Sequence, residues 1–333
     1  MTGKVIESAF RPDPFVRGPH GQTVVAALLR KAPSIPWRWE RIELPDGDFV
    51  DLAWHGPPPG GGPMVLLLHG LAGSPSSPYI RDHAAALADA GIPVVAMCFR
   101  GCSGEPNRLP RGYHSGETAD LGHIIGVLGD RHPDASLRAV GFSLGGNVLL
   151  KFLGEQGDDA NVEAAVAVSV PLELAPCSHR LSEGLSRAYR LHILRKLRTT
   201  VRAKAAVLEG HVDVAAVLAA KDFETFDSLL TAPLHGFESA EDYYARCSSR
   251  QFLQHITRPT LVIQAEDDPF MPPSVLPEAA ELSRSVVLER SRTGGHVGFL
   301  GPGRRAWLPG RVMDWLSRDG LAMGACPDPG PAR

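Results

Sequence analysis

Ser143 stands in Gly141-Phe142-Ser143-Leu144-Gly145, between a strand-like run, Leu137-Arg138-Ala139-Val140, and a helix-like one, Gly146-Asn147-Val148-Leu149-Leu150-Lys151. A serine flanked by glycines at a strand-to-helix junction has the pattern of a nucleophile elbow, a turn tight enough to lift the hydroxyl clear of a sheet. Glycine at the two flanking positions answers close backbone approach and the strain of the turn. A chain this rich in Gly and Ser can meet the five-residue pattern by chance, so its flanks and downstream partners carry the weight. The chemistry would be nucleophilic: the serine oxygen attacks a carbonyl carbon once a base removes its proton.

Partners for such a serine follow in the order acid, then histidine. Arg258-Pro259-Thr260-Leu261-Val262-Ile263-Gln264 reads as a buried parallel strand and runs into Ala265-Glu266-Asp267-Asp268-Pro269-Phe270. Of the three acids at that strand end, Asp268 is favoured. Pro269 biases the residue before it away from helical geometry and holds Asp268 extended, and Phe270-Met271-Pro272 would screen it from water. Asp267 and, less readily, Glu266 remain alternatives. After a further strand, Ser285 to Glu289, comes Gly294-Gly295-His296-Val297-Gly298-Phe299. A histidine in a glycine-rich loop can swing its ring over the elbow, which makes His296 the expected general base.

An oxyanion site is legible as well. The apolar strand Met64-Val65-Leu66-Leu67-Leu68 leads directly into His69-Gly70-Leu71-Ala72-Gly73-Ser74. Backbone amides of that loop and of the residue after the nucleophile would face the developing negative charge, which nominates Leu71 and Leu144. His69 is read as a structural histidine holding the loop.

These strings resemble the YheT-like branch of the α/β-hydrolases, whose animal relatives include membrane-associated esterases and phospholipases. The resemblance runs from Pro19-His20-Gly21-Gln22-Thr23 to Gly295-His296-Val297-Gly298-Phe299, about nine tenths of the chain. Between lie Arg100-Gly101-Cys102-Ser103-Gly104, Tyr113-His114-Ser115-Gly116, the elbow through Asn147, Thr231-Ala232-Pro233-Leu234-His235-Gly236-Phe237, Asp242-Tyr243-Tyr244 and Asp267-Asp268-Pro269-Phe270. One departure is local: the family usually places an apolar residue before Gln22, where this chain has Gly21. The resemblance implies an α/β-hydrolase fold, a mostly parallel twisted sheet flanked by helices with an inserted helical cap. It also implies a relay of Ser143, Asp268 and His296, the trio read from the residues. A serine nucleophile with an oxyanion site implies acyl transfer to water through an acyl-enzyme, hence a carboxylic ester hydrolase acting on small esters or lipid esters. An acyltransferase with the same triad and a non-catalytic relative are the alternatives. No metal or organic cofactor is called for.

The elements that must position these groups alternate. A hairpin, Arg38 to Leu44 and Phe49 to Trp54, turns at Pro45-Asp46-Gly47-Asp48. Strands then read at 64–68, 93–99, 136–141, 164–170, 258–264 and 285–289, with helices at 78–90, 116–129 and 145–156. Such alternation means a mostly parallel sheet covered on both faces. Residues 1–36 read as an N-terminal extension with a short helix from Gln22 to Arg30, 37–171 and 251–318 as the core, 172–250 as the cap and 319–333 as a disordered tail. The cap is inferred because close to ninety residues without strand character separate two core strands.

Composition narrows the partners. The 333 residues carry a net charge of −3, which argues against nucleic acid. Five cysteines without a C-x-x-C pair support neither a disulfide framework nor a zinc site. The N-terminus lacks the apolar core of a secretory signal and no apolar run approaches a bilayer span, so a cytoplasmic setting is expected. The cap holds one charge run: from Gly184 to Leu208 there are seven basic residues and no acid. Arg187, Arg195, Arg198 and Arg202 are read on one helical face and Ile193, Leu194, Leu197 and Val201 on the opposite one. A solvated surface is the ordinary expectation for such a face; weak contact with an anionic membrane is the other.

Overall fold

The computed structural model describes residues 2–317. Residues 319–333, read above as a disordered tail, lie outside the described residues. Nine strands form one sheet: β1 (Lys4–Glu7), β2 (Arg38–Glu43), β3 (Phe49–His55), β4 (Pro63–Leu68), β5 (Val94–Cys98), β6 (Ser136–Phe142), β7 (Ala164–Val168), β8 (Thr260–Ala265) and β9 (Val286–Ser291). Their spatial order is β1-β9-β8-β7-β6-β4-β5-β3-β2. All pairings are parallel except β2 with β3 and β3 with β5, where the hairpin enters against the sheet direction. The edge strand β1 comes from the segment read as an extension; it pairs in parallel with β9, Val5 opposite Leu288.

Strand β4 shows why the apolar runs are continuous. Leu66 and Leu68 point into the cluster that also holds Leu121, Ile124, Val148 and Leu149, whereas Val65 and Leu67 point into the one with Ile80, Leu87, Val312 and Trp315. Side chains alternate across a strand, so a strand with helices on both faces must be apolar at every position. The covering helices are α2 (Pro78–Asp89), α3 (Thr118–Arg131) and α4 (Leu144–Gln156) along the core, preceded by α1 (Gly18–Val24). The helix expected from Gln22 to Arg30 starts four residues earlier. Pro19 sits in its first turn, where a missing N–H costs nothing, and the chain then loosens into a wider π-helical turn at Val25–Leu29.

Between β7 and β8 the chain forms α5 (Leu174–Arg180), α6 (Arg187–Ala203), α7 (Ala205–Leu208), α8 (Val214–Ala219), α9 (Phe223–Phe226), α10 (Ala232–His235) and α11 (Ala240–Cys247). Helices α6 to α9 bury a separate small cluster built from Leu194, Val201, Leu208, Val217, Phe223 and Phe226, against which Leu71 and Phe270 pack from the core side, while α5 and α11 bury another around Leu174, Tyr243 and Tyr244. After β9, α12 (Leu308–Leu316) returns to the sheet and packs on β7 and α2.

Polar clips hold this helical layer down. Lys204 is buried, and its ammonium donates to Asn107 Oδ1 at 2.8 Å and to the carbonyls of Leu109 (2.6 Å), Pro110 (3.1 Å) and Arg111 (2.9 Å). Asn147 of α4 donates to the carbonyls of Ser115 and Cys247 and accepts from the Ser249 N–H. The loop that Lys204 grips is also held by buried Asp48, which accepts from Asn107 Nδ2 and the Arg108 N–H; Arg100 reaches Asp48 and Asp46 at 3.0 and 2.8 Å and bonds Asp120 with two nitrogens at 2.7 Å each. The basic run around α6 thus turns two of its cations inward, of which only Arg198 was read on the exposed face. Lys204 is an internal clip, and Arg198 turns inward, Nη2 donating to the Ala220 carbonyl. Arg187, Arg195 and Arg202 stay exposed, joined by Lys196. On the other face Leu194 and Val201 are buried as expected.

Candidate active site

The elbow puts Ser143 at φ 51°, ψ −120°, a left-handed conformation that a side chain rarely adopts. Strain therefore falls on the serine. The glycines around it serve close approach: a Cβ on Gly141 would lie 2.5 Å from the Gly145 carbonyl oxygen, and one on Gly145 would lie 2.6 Å from the carbonyl oxygens of Leu68 and His69. The serine is held there from both sides, its N–H donating to Val168 O and its carbonyl accepting from Asn147 N–H at the start of α4.

Ser143, His296 and Asp268 come together although the chain separates them by up to 153 positions. Ser143 Oγ lies 3.0 Å from His296 Nε2, and His296 Nδ1 lies 2.8 Å from Asp268 Oδ2. Asp268 is buried, and its second oxygen accepts the Phe270 N–H at 2.8 Å, a turn that fixes the carboxylate plane. Phe270 lies flat on the imidazole, ring centroids 3.8 Å apart and 5° from parallel. The residue expected to shield the acid thus covers the histidine. Asp267 points elsewhere: Oδ1 accepts the Gly295 N–H at 2.9 Å, Oδ2 is buried without a partner among the described residues, and burial raises its pKa above the ordinary carboxylate value. Glu266 faces the surface near Arg290.

Loop 69–74 is organised by two tyrosines. Tyr79 and Tyr113 hydroxyls accept the N–H groups of Gly70 (2.9 Å) and Ala72 (2.8 Å). The intervening Leu71 N–H takes no protein acceptor among the described residues. Leu144 is the first residue of α4, ahead of the intrahelical ladder, so its N–H is free as well. His69 bridges the loop to the sheet, Nδ1 at 2.8 Å from Gly70 O and Nε2 accepting the Phe99 N–H at 3.2 Å. Burial pushes its pKa down to about 4, which keeps it neutral and matches a structural role.

Sequence reasoning missed the residues that aim His296. Thr23 Oγ1 accepts the His296 N–H at 2.9 Å and donates to Pro19 O at 2.7 Å. Gln22 is buried and brackets Leu300, accepting its N–H and donating to its carbonyl. Ser169, itself at φ 51°, accepts the Val297 N–H at 3.0 Å. The string Pro19 to Thr23, which carried no role in the sequence reading, is the back support of the histidine loop. Its presence among the recurrent strings was the available signal.

Above the serine lies a cavity of about 620 Å³, lined by the loops at the sheet edge and by the helices between β7 and β8. Its walls are mainly apolar and aromatic, among them Leu181, Phe223, Phe226, Tyr189 and Phe270. Two acids line it: Asp82 is paired with Arg30, while Asp227 accepts hydroxyl hydrogens from Thr231 (2.6 Å) and Tyr244 (2.8 Å), and burial pushes its carboxyl up to about 6. His114 and His235 lie edge to face in the same wall, centroids 4.6 Å apart, both with pKa values lowered by burial.

Comparison with known proteins bears on the family and the fold. The family model described as alpha/beta hydrolase fold matches residues 63–301. The chain is 42% identical over 305 residues to the Escherichia coli (strain K12) protein named "Putative esterase YheT", covering 90% of each. It is 30% identical over 305 residues to Phospholipase ABHD3 of Bos taurus, covering 89% of this chain and 74% of that one. Among solved structures, the Pyrococcus furiosus esterase Pf2001 superposes with a TM-score of 0.57 at 16% identity, over 96% of this chain and 98% of that one, a likeness of fold.

Proposed function

The chain belongs to the YheT-like branch of the α/β-hydrolase family, and from that premise we propose that it is a serine carboxylesterase that works through an acyl-enzyme on Ser143. The observation that carries the reading is the continuous hydrogen-bonded line from Ser143 Oγ through the imidazole to Asp268, at 3.0 and 2.8 Å. His296 Nε2 takes the serine proton as Oγ attacks the ester carbonyl; Asp268 holds the Nδ1–H tautomer and stabilises the imidazolium. The free N–H groups of Leu71 and Leu144 receive the oxyanion. The imidazolium then protonates the departing alcohol, and the neutral ring activates the water that releases the acid. The esterase and phospholipase names of the relatives support ester cleavage, and the apolar lining supports a lipid-like acyl or alcohol group in the cavity.

The experiment is active-site labelling beside turnover. A fluorophosphonate probe is expected to label the wild type at Ser143, and p-nitrophenyl esters of graded chain length are expected to be cleaved. Ser143→Ala should lose both. Labelling that persists in the variant, at Ser74 or Ser103 for example, would overturn the assignment.

A further inference from the structure

The cavity opens to solvent between two short stretches of chain that the reaction does not use. On one side is the loosened turn Val25–Leu29, on the other the solvent-facing stripe of α6. Leu28 lines the cavity yet is 71% exposed, which puts it at the mouth, and its neighbour Leu29 is also 71% exposed. Across the opening Ala188, His192 and Lys196 line the cavity and are exposed. They belong to a helical stripe, 188-191-192-195-196, whose spacing puts Leu191 (55% exposed) and Arg195 on the same rim. Leu185, 73% exposed, precedes the helix, and the next residue, Ser186, ties this end to the acid loop by donating to Pro269 O at 2.6 Å.

Four of the seven large hydrophobic side chains most exposed among the described residues stand at or beside exposed lining positions: Leu28 lines the cavity, Leu29 follows it, Leu191 adjoins His192, and Leu185 stands three residues before Ala188. Large apolar side chains set around the entrance of an apolar cavity mark an interaction surface rather than scattered exposure. Their surroundings are basic. Arg187, Arg195, Lys196 and Arg202 stay solvent-facing on α6, in a segment without acids, on a chain whose net charge is −3. Apolar residues for shallow insertion beside cations for acidic headgroups are the two components of interfacial binding.

Resting on the esterase reading, we propose that the cavity mouth docks on a lipid bilayer bearing acidic headgroups, so that substrate passes from the membrane into the cavity without crossing water. The apolar rim enters the interface and the α6 cations set the preference for anionic lipid. The arrangement commits to a membrane surface because the rim is continuous with the cavity and its charge opposes that of such a surface.

Co-sedimentation with vesicles tests this on the full chain. Binding is expected to phosphatidylglycerol-containing vesicles, little to pure phosphatidylcholine, and it should weaken in high salt. Two variants away from the cavity lining separate the components: Leu29→Ser with Leu185→Ser and Leu191→Ser, and Arg187→Gln with Arg195→Gln. Each should lower vesicle partitioning by about tenfold or more while leaving cleavage of a soluble short-chain ester unchanged. Ser143→Ala should bind vesicles like the wild type, which keeps failure of the catalytic reading distinct from failure of this one. Equal binding to neutral and anionic vesicles, binding to neither, or undiminished binding by both variants would overturn the proposal.

Discussion

The elbow and the cap face each other across one cavity and are held by different forces. Around Ser143 the backbone does the positioning: a left-handed serine, glycines against neighbouring carbonyls, and strands buried on both faces. In the helices between β7 and β8, several small apolar clusters take the place of one core, and long side chains such as Lys204 and Arg198 reach for backbone carbonyls to fasten the rest. Rigid backbone suits groups that must meet within tenths of an ångström. A layer fixed by separable polar clips suits a roof over a cavity, since one clip can change without disturbing the triad.

The largest difference should appear on the elbow side, between adjacent acids. Asp268→Asn removes the carboxylate that orients His296, and kcat should fall by about 10³- to 10⁴-fold. Asp267→Asn leaves that line intact and disturbs only the hydrogen bond to Gly295 N–H, so its effect should stay within about tenfold. Steady-state kinetics on one soluble ester decide it. A reversed order would make Asp267 the relay acid and remove the comparison's premise.

On the cap side, Lys204→Met should cost stability rather than chemistry. It leaves the Asn107 side-chain oxygen and three backbone carbonyls without their shared donor in a buried site, a loss of about 1–3 kcal/mol. Chemical denaturation should register that loss. Turnover of a small ester should hold within a few-fold, while a long-chain ester, which must use the roofed cavity, should lose more. Equal losses on both esters would mean that the cap and the triad are not separable.

The same contrast explains what could be read from the chain. Strands such as Met64–Leu68 are continuous apolar runs because both faces are covered, and the serine, acid and histidine follow in the order this topology requires. The choice of Asp268 over Asp267 rested on Pro269 and on the screen expected from Phe270-Met271-Pro272; in the structure Asp268 is the one of the two within hydrogen-bonding distance of His296, and Phe270 covers the imidazole. What escaped depends on partners distant in sequence. Thr23 supports a residue 273 positions away and Lys204 clips a loop 93 to 97 positions back, and neither side chain has local spacing that announces it. The amphipathic pattern of α6 was legible, but which cations turn inward depends on where Ala220 and Asn107 arrive from elsewhere.

The smallest effect concerns Asp227, the cavity-wall acid that has no cationic partner among the described residues, and bears on how far the cavity tolerates polarity. Its carboxyl is pushed up to about 6 by burial, against the ordinary 3.8 of an aspartate, although Thr231 and Tyr244 hydroxyls donate to it and pull the other way. Between those two values the folded chain holds a proton that the unfolded chain has released. The group's contribution to stability is therefore full below about pH 4, falls as pH rises to about 6 and stays low beyond. Asp227→Asn removes that ionisation. An amide keeps one oxygen for a hydroxyl donor, and Tyr244, which can turn its own hydrogen toward Ser178 at 3.3 Å, can accept from the new NH₂. Loss of the remaining hydrogen-bond energy, about 1 kcal/mol, should leave the variant slightly less stable than wild type near pH 4. As pH rises through 6 the variant should gain on the wild type and match or exceed it by pH 7.5. Melting temperatures of the two proteins across that range measure the trend directly. A difference that stays constant with pH, or that grows against the variant toward alkaline pH, would mean that Asp227 is ionised throughout in the folded protein. The cap cavity would then be wet enough to solvate a charge.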